Sequence, residues 1–204
     1  METAKKNCEK LLNITNTLLG EKGCPWDKKQ TLSTLKPYIL EETYELLEAL
    51  DEDDSKGIIE EAGDVLFQIF FISKLLEKEK RGTLAEILET IANKLILRHP
   101  HIFSTSIANT PEEVVKRWEE IKKEEKKRTS ELEGIPQKLP CIAKMQKLMG
   151  KLKKKDLFKE EKINKVTEEE ISLKLKELIL QAVISDVDVE SVVRKNIKEL
   201  EKLF

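Results

Sequence analysis

The most informative part of the sequence is a pair of acidic segments. They are Glu41-Glu42-Thr43-Tyr44-Glu45 and, after residues 46–60, Glu61-Ala62-Gly63-Asp64. Apolar residues fill the positions between the acids, which indicates that each segment belongs to a helix. Residues three or four apart lie on the same face of a helix. Each segment therefore projects a pair of carboxylates from one face, Glu42 with Glu45 and Glu61 with Asp64. Two such helices packed antiparallel would bring four carboxylates into one cleft.

Four carboxylates in one cleft repel one another unless a cation neutralises them. A ligand set made only of oxygen atoms suits a hard ion, and Mg²⁺ is the usual one where phosphates complete the coordination. The alternative is that these are ordinary solvated acids, in a chain in which 37% of the residues are charged. Both acidic pairs interrupt otherwise apolar helix faces, which favours the metal site.

Composition restricts the class of protein. With 204 residues, the chain can form one large domain, or one domain and an appendage. Its net charge of -2 gives no general attraction to nucleic acid or to an anionic membrane. The three cysteines are odd in number and lack metal-finger spacing, which fits a reducing compartment. The N-terminus does not resemble a secretory signal, and the most apolar run, Val65 to Leu76, is too short to span a bilayer. We therefore expect a soluble cytoplasmic protein.

Hydrophobic periodicity predicts an all-α fold, since no stretch alternates for long enough to indicate a sheet. A proline at position 37 is the one feature against an uninterrupted start of the second helix. The predicted helices cover 4–19, about 31 or 33 to 50, 56–79, 84–98, 111 to about 130, 141–150, 167–183 and 187–203. Composition changes near 134–140, where we place a boundary.

Further charged side chains fit phosphate chemistry. Lys94 and Arg98 stand four apart on one face of the fourth helix, where an arginine fork and a mobile ammonium can bind phosphate oxygens. Glu41, at the edge of the acidic face, is a candidate general base for activating a water. Its alternative role is an outer-sphere or helix-stabilising acid.

Several segments together resemble the MazG nucleoside triphosphate pyrophosphohydrolases, in order over about residues 8–130. They include the two acidic segments and the following motifs: Gly23-Cys24-Pro25-Trp26-Asp27, Lys94-Leu95-Ile96-Leu97-Arg98-His99-Pro100-His101-Ile102-Phe103 and Trp118-Glu119-Glu120-Ile121.

This resemblance implies an all-α bundle, usually a homodimer, that splits NTPs or dNTPs into a nucleoside monophosphate and pyrophosphate. The implied cofactor is Mg²⁺, with Mn²⁺ as a substitute. The family's metal-ligand positions fall on Glu42, Glu45, Glu61 and Asp64. Its phosphate-binding positions fall on Lys94 and Arg98, and its nucleotide-contacting tryptophan falls on Trp118. The implied biological role is the removal of aberrant or excess nucleotides.

The resemblance also predicts two regions. Residues 1–130 would form a MazG-like catalytic domain, and residues 131–204 a linker and a degenerate, truncated second MazG-like region. The second region lacks the acid pattern, because Ile171, Ser172 and Leu173 stand three residues after Glu168, Glu169 and Glu170.

Two other classes of protein remain open at this stage. A nucleotide-binding regulator without catalytic activity would keep the pocket, although all four acid positions are intact. A helical interaction or nucleic-acid-binding module could use the lysine-rich second half, but the near-neutral net charge makes nucleic acid an unlikely partner. We expect His99 and His101 to form a turn, and Trp26 to close one end of the bundle instead of stacking on a base.

Overall fold

The computed structural model describes residues 2–104, 108, 110–127, 131–154 and 165–203. Regular structure in these residues is helical, with no β-strand among them, which confirms the predicted all-α class. The chain separates into two compact units, Met1–Val114 and Val115–Phe204. The division after residue 130 stays a prediction about domains.

The first unit contains the helices that carry the acidic segments. They are α1 (Glu2–Leu19), α2 (Leu35–Asp51), α3 (Ser55–Lys78), α4 (Leu84–Arg98) and α5 (Pro100–Phe103), with a short 3-10 turn at Asp27–Lys29. A sixth helix, α6 (Pro111–Glu125), begins in this unit and continues into the second.

The core of the first unit lies between α2 and α3. Leu35, Phe71 and Leu75 are almost fully buried against one another, and Tyr38 and Phe67 pack around them. The rings of Phe67 and Phe71 meet edge to face, with centroids 5.8 Å apart. This apolar layer fixes how the two helices pair, and therefore where their acids meet.

Several helix boundaries differ by a few residues from the predicted ones, and two of these differences have identifiable reasons. Helix α2 begins at Leu35, so that Pro37 lies in the first turn, where its missing N–H has no intrahelical acceptor. Helix α6 ends at Glu125, followed by a turn in which Lys127 has a φ of 46°. The predicted end near Ser130 was therefore too late, and Ser130 itself lies outside the described residues.

The second unit has its own core. It contains a 3-10 turn at Glu131–Gly134 and helices α7 (Cys141–Lys154), α8 (Glu168–Ile184) and α9 (Val189–Glu201). Ile135, Leu148, Val193 and Ile197 form the buried cluster that joins α7 to α9. Lys144 of α7 is only 9% exposed, and its Nζ atom forms an ion pair with Glu201 Oε1 of α9 at 2.8 Å.

Helix α8 is unlike the others because none of its residues is buried. Its large apolar side chains are between 44% and 77% exposed: Ile171, Leu173, Leu175, Leu178, Ile179, Leu180, Val183 and Ile184. The lysine-rich link between α7 and α8 lies largely outside the described residues. Among the helices that the structure describes, none is long and apolar enough to cross a membrane.

Candidate metal centre

A tight turn sets α2 antiparallel to α3. Asp53 adopts a φ of 53°, and the side chain of Asp54 accepts a hydrogen bond from the Lys56 backbone N–H at 3.0 Å, which caps α3. Gly57 lies so close to this turn that an added Cβ would stand 2.8 Å from Asp54 Oδ2 and 3.2 Å from Ala49 Cβ. The absence of a side chain at position 57 therefore lets the two helices approach closely.

This pairing brings the predicted acids of the two helices together. Glu42 and Glu45 of α2 and Glu61 of α3 each offer a carboxylate oxygen, and these atoms all lie within 4.8 Å of one another. Glu42 and Glu61 are half-buried, and Glu45 is exposed. Among the described residues, these three acids form the group of potential metal ligands that lie close enough together to share one ion.

The electrostatics of the cluster are those of crowded, partly desolvated carboxyl groups. Burial, followed by repulsion from Asp64, Glu45, Glu61 and Glu41, raises the pKa of Glu42. Burial, followed by repulsion from Glu45, Asp64 and Glu60, also raises the pKa of Glu61, and a hydrogen bond with the Glu45 side chain adds to this shift. A divalent cation would relieve this repulsion, and the all-oxygen donor set fits such an ion.

The two remaining predicted acids lie at the edge of this group. Asp64 repels both Glu42 and Glu61 electrostatically, although it is not one of the three residues whose oxygens lie within 4.8 Å. Glu41 is exposed and is the last of the charges that raise the pKa of Glu42. Both belong to the electrostatic surroundings of the cluster.

One residue beside the cluster was not identified from the sequence. Gln68 is 7% exposed, and its side-chain oxygen Oε1 finds no hydrogen-bond donor in the described part of the chain. It stands four residues after Asp64 on α3 and therefore lies on the same helix face. A glutamine in an apolar run, one turn from a predicted ligand, was the available indication of its importance.

The two predicted phosphate-binding residues lie on α4, outside the group of three acids. Arg98 is 8% exposed at the end of this helix. Lys94 is half-buried and lines a groove with Leu76 and Gly82, at the C-terminal end of α3. Leu76 is twelve residues beyond Asp64, or roughly 18 Å along a helix that rises 1.5 Å per residue.

The structure places the predicted aromatic residue Trp118 on α6, in the second unit. Its ring is half-buried, and the Nζ atom of Lys122 lies 4.5 Å from the ring centroid. This distance is typical of a cation–π contact.

Two other residues named from the sequence lie at helix ends in the first unit. Trp26 is 54% exposed, and its ring meets the ring of Tyr38 edge-on at 5.6 Å. His99 ends α4, with its Nδ1 atom 2.7 Å from the carbonyl oxygen of Leu95. His99 thus lies at the break between two helices, whereas the predicted turn at His101 was wrong, because His101 lies within helix α5.

Comparison with protein families matches residues 30–103 to the model described as "MazG nucleotide pyrophosphohydrolase domain". The matched residues include both acidic segments, Lys94 and Arg98.

Comparison with curated proteins gives relatives over about two thirds of this chain. It is 44% identical over 144 residues to the nucleoside triphosphate pyrophosphohydrolase of Escherichia coli K12, covering 69% of this chain and 55% of the relative. It is 40% identical over 137 residues to the Thermotoga maritima protein named nucleoside triphosphate pyrophosphohydrolase/pyrophosphatase MazG. This match covers 66% of this chain and 52% of the relative. It is also 45% identical over 139 residues to the uncharacterized protein YabN of Bacillus subtilis. This match covers 67% of this chain and 28% of YabN.

The chain therefore spans about half the length of the named pyrophosphohydrolases that it matches, and about a quarter of YabN. Among solved structures, a mazG-related protein from Thermotoga maritima matches with a TM-score of 0.49 and 29% identity, over 56% of this chain and 98% of that one.

Proposed function

Because this chain carries a MazG nucleotide pyrophosphohydrolase domain, we propose that it hydrolyses nucleoside triphosphates to nucleoside monophosphates and pyrophosphate. The observation that carries this proposal is the meeting of Glu42, Glu45 and Glu61 between α2 and α3, with ligand oxygens within 4.8 Å of one another. The names of the Escherichia coli and Thermotoga maritima relatives support the same reaction. The proposed biological role is the removal of aberrant or excess nucleotides.

Glu42, Glu45, Glu61 and Asp64 would hold a Mg²⁺ ion, which Mn²⁺ can replace. The fit rests on the donor set, because hard divalent cations prefer carboxylate oxygens and the crowded acids need a counter-charge. When bound, such an ion offsets charge on the phosphates and lowers the pKa of a bound water.

The remaining residues of the proposed site bind the substrate and move a proton. Arg98 and Lys94 hold the phosphate oxygens, the first as a planar fork and the second as a point charge. Glu41 takes the proton of the water that attacks the α-phosphorus. The bond between the α-phosphorus and the bridging oxygen breaks, and pyrophosphate leaves. Trp118 contacts the nucleotide.

We also propose that the chain forms a homodimer in the cytoplasm. The first unit leaves many large apolar side chains exposed on α2, α3 and α4, including Leu40, Tyr44, Leu47, Ile59, Leu66, Leu88 and Leu95. Large apolar side chains left exposed in this number on three helices favour an interface with another protein. A second copy is the partner that the family resemblance implies.

The experiment that tests this function is a product analysis. The protein is incubated with each canonical NTP and dNTP and with modified nucleotides, in the presence of Mg²⁺ or of EDTA. Formation of equimolar monophosphate and pyrophosphate, only with the cation, supports the proposal. Release of orthophosphate with a nucleoside diphosphate would contradict it. Nucleotide binding without any product would indicate a nucleotide-binding regulator instead.

A further inference from the structure

Gln68 is a buried residue of α3 that lies, along the helix, between its acidic residues and the apolar residue Phe71. On α3 it follows Glu61 by seven residues and Asp64 by four, and it precedes Phe71 by three. These spacings place all four side chains on one face of the helix. Along this face, Gln68 follows Asp64 by one turn and Glu61 by two turns, and it precedes by one turn Phe71 of the apolar layer.

The amide oxygen of this residue needs a hydrogen-bond donor. Gln68 is 7% exposed, and no donor from the described residues reaches Oε1. Nearly all buried polar groups in native proteins have a partner, so an unsatisfied oxygen calls for an explanation. The neighbouring carboxylates do not supply one, because an ionised carboxylate only accepts hydrogen bonds.

We propose that Gln68 Oε1 accepts a hydrogen bond from a water molecule bound to the divalent cation of the acid cluster, and that Gln68 thereby positions this water. The inference rests on the proposed function, since it requires a cation among Glu42, Glu45, Glu61 and Asp64. It adds a neutral residue that contacts the hydrated ion from the side of the protein core.

The chemistry favours a bound water as the donor. Small divalent cations such as Mg²⁺ keep several of their waters when carboxylates bind them. These waters are polarised and are strong hydrogen-bond donors, which is what a buried amide oxygen lacks. Side chains four apart on a helix are separated by about 5–6 Å between Cβ atoms. Gln68 is thus a near neighbour of Asp64 and contributes an oxygen without adding to the negative charge.

Binding of Mn²⁺ to the full-length protein tests this inference without reference to turnover. Free Mn²⁺ is titrated by electron paramagnetic resonance against the wild type and against Gln68→Met, which has a similar volume and no amide. We expect the dissociation constant to rise by roughly tenfold or more in Gln68→Met, as for other outer-shell partners of metal ligands. The metal-free variant should be at least as stable as the wild type, because it loses an unsatisfied buried oxygen.

Two further variants separate this role from general packing. Ser73→Ala alters another buried polar side chain of α3, whose hydroxyl already donates to the Phe70 carbonyl at 2.7 Å, and should leave Mn²⁺ affinity unchanged. Gln68→Glu keeps an acceptor oxygen and should bind Mn²⁺ at least as tightly as the wild type. It also keeps the test decisive if Gln68→Met folds poorly, because a loss of affinity in Gln68→Glu would count against the inference.

The possible results have different meanings. Wild-type Mn²⁺ affinity in a folded Gln68→Met protein would overturn the role of Gln68 and leave the proposed metal site intact. An equal loss of affinity in Gln68→Met and Ser73→Ala would also overturn it, because the cause would then be packing. Failure of the wild type to bind Mn²⁺ at all would overturn both this inference and the proposed site.

Discussion

Glu45 on α2 and Glu61 on α3 bring carboxylate oxygens to within 4.8 Å of each other across the two helices. Two ionised carboxylates at this separation repel each other, so the pair is stabilised by any positive charge that binds between them. The pKa of Glu61 is raised, first by burial and then by repulsion from Glu45, and the pKa of Glu42 is raised in the same way by burial and by Asp64. Without a cation, the cluster therefore binds protons more readily than isolated carboxyl groups do.

The first prediction concerns stability and pH in the absence of metal. Because the pKa values of Glu42 and Glu61 are higher in the folded protein than the ordinary value of 4.5, folding takes up protons at this cluster. Its contribution to the free energy of unfolding should therefore increase as pH falls from neutral towards 4.5, and should level off below that value. Urea unfolding in EDTA at several pH values measures this dependence.

The matched comparison for this pH dependence is Glu61→Gln, which removes one titrating group from the cluster. The difference in unfolding free energy between the variant and the wild type should shrink as pH falls, because protonation relieves the same repulsion. Saturating Mg²⁺ should weaken the wild-type dependence, because the cation competes with protons. A difference that stays constant with pH would contradict the shifted pKa of Glu61.

The second prediction concerns turnover. Glu61→Gln should lower kcat/KM for NTP hydrolysis by more than about 100-fold, since losing a ligand should exceed the 10–100-fold effect typical of outer-shell partners. In EDTA the variant should be as stable as the wild type or more stable, because repulsion is relieved. Glu48→Gln is the control, since it removes an exposed acid of α2 that is outside the cluster. Near-wild-type pyrophosphate release by Glu61→Gln would refute the metal assignment.

The third prediction concerns phosphate binding by α4. Arg98→Ala and Lys94→Ala should each reduce kcat/KM, by about 10–100-fold if each removes a charged hydrogen bond of about 1.5–3 kcal/mol. Arg98→Lys should restore activity only in part, because an ammonium cannot form the bidentate fork. Arg98 is 8% exposed, so thermal unfolding must accompany the kinetics. Arg194→Lys is the control, since Arg194 of α9 is exposed and binds Glu190. Unchanged kinetics in both alanine variants would remove these residues from the site.

The fourth prediction distinguishes a general base from a metal ligand at position 41. Glu41→Gln should lower kcat by about 10²–10⁴-fold, the range typical of general acid–base groups, with little change in Mn²⁺ affinity. A parallel loss of Mn²⁺ affinity would make Glu41 a ligand. Unaltered kcat would show that it only supports the helix.

Much of the first unit could be predicted from the sequence because its information is local. Apolar periodicity located α1 to α4, and the spacing of Glu42 with Glu45 placed both on one face of α2. The antiparallel pairing followed from the short polar turn between α2 and α3, so the meeting with Glu61 was predictable too.

Features that depend on tertiary packing could not be predicted in this way. The sequence shows Gln68 inside an apolar run, but its burial and its unsatisfied oxygen depend on how the neighbouring helices pack against α3. Helix α5 was missed because a turn was expected after the predicted helix 84–98, whereas Pro100 suits the first position of a new helix. The exposure of α8 was unexpected for the same reason, since an apolar helix predicts burial without identifying the partner.

The last prediction concerns residues 131–204, which we propose to be a linker and a degenerate second MazG-like region without a catalytic role. A protein truncated after Ser130 should retain Mg²⁺-dependent NTP hydrolysis, because the acid cluster, Lys94, Arg98 and Trp118 all precede that point. Its solubility or oligomeric state should change. We propose that the apolar side chains of α8, which are exposed in the single chain, pack against the first region or a second copy of the chain, and the truncation removes them. Analytical ultracentrifugation and the pyrophosphate assay measure the two effects separately.

The controls for this truncation are the same shortened protein with Glu61→Gln, which should be inactive, and the isolated residues 131–204, which should not hydrolyse NTPs. In the full-length chain, Leu180→Gln with Ile184→Gln should reproduce the change in assembly while leaving turnover per chain unchanged, because both side chains lie on α8 and are 60% and 77% exposed. Hydrolysis by the isolated second half would contradict the proposal. So would inactivity of a truncated protein that is soluble, helical by circular dichroism and assembled like the full-length chain.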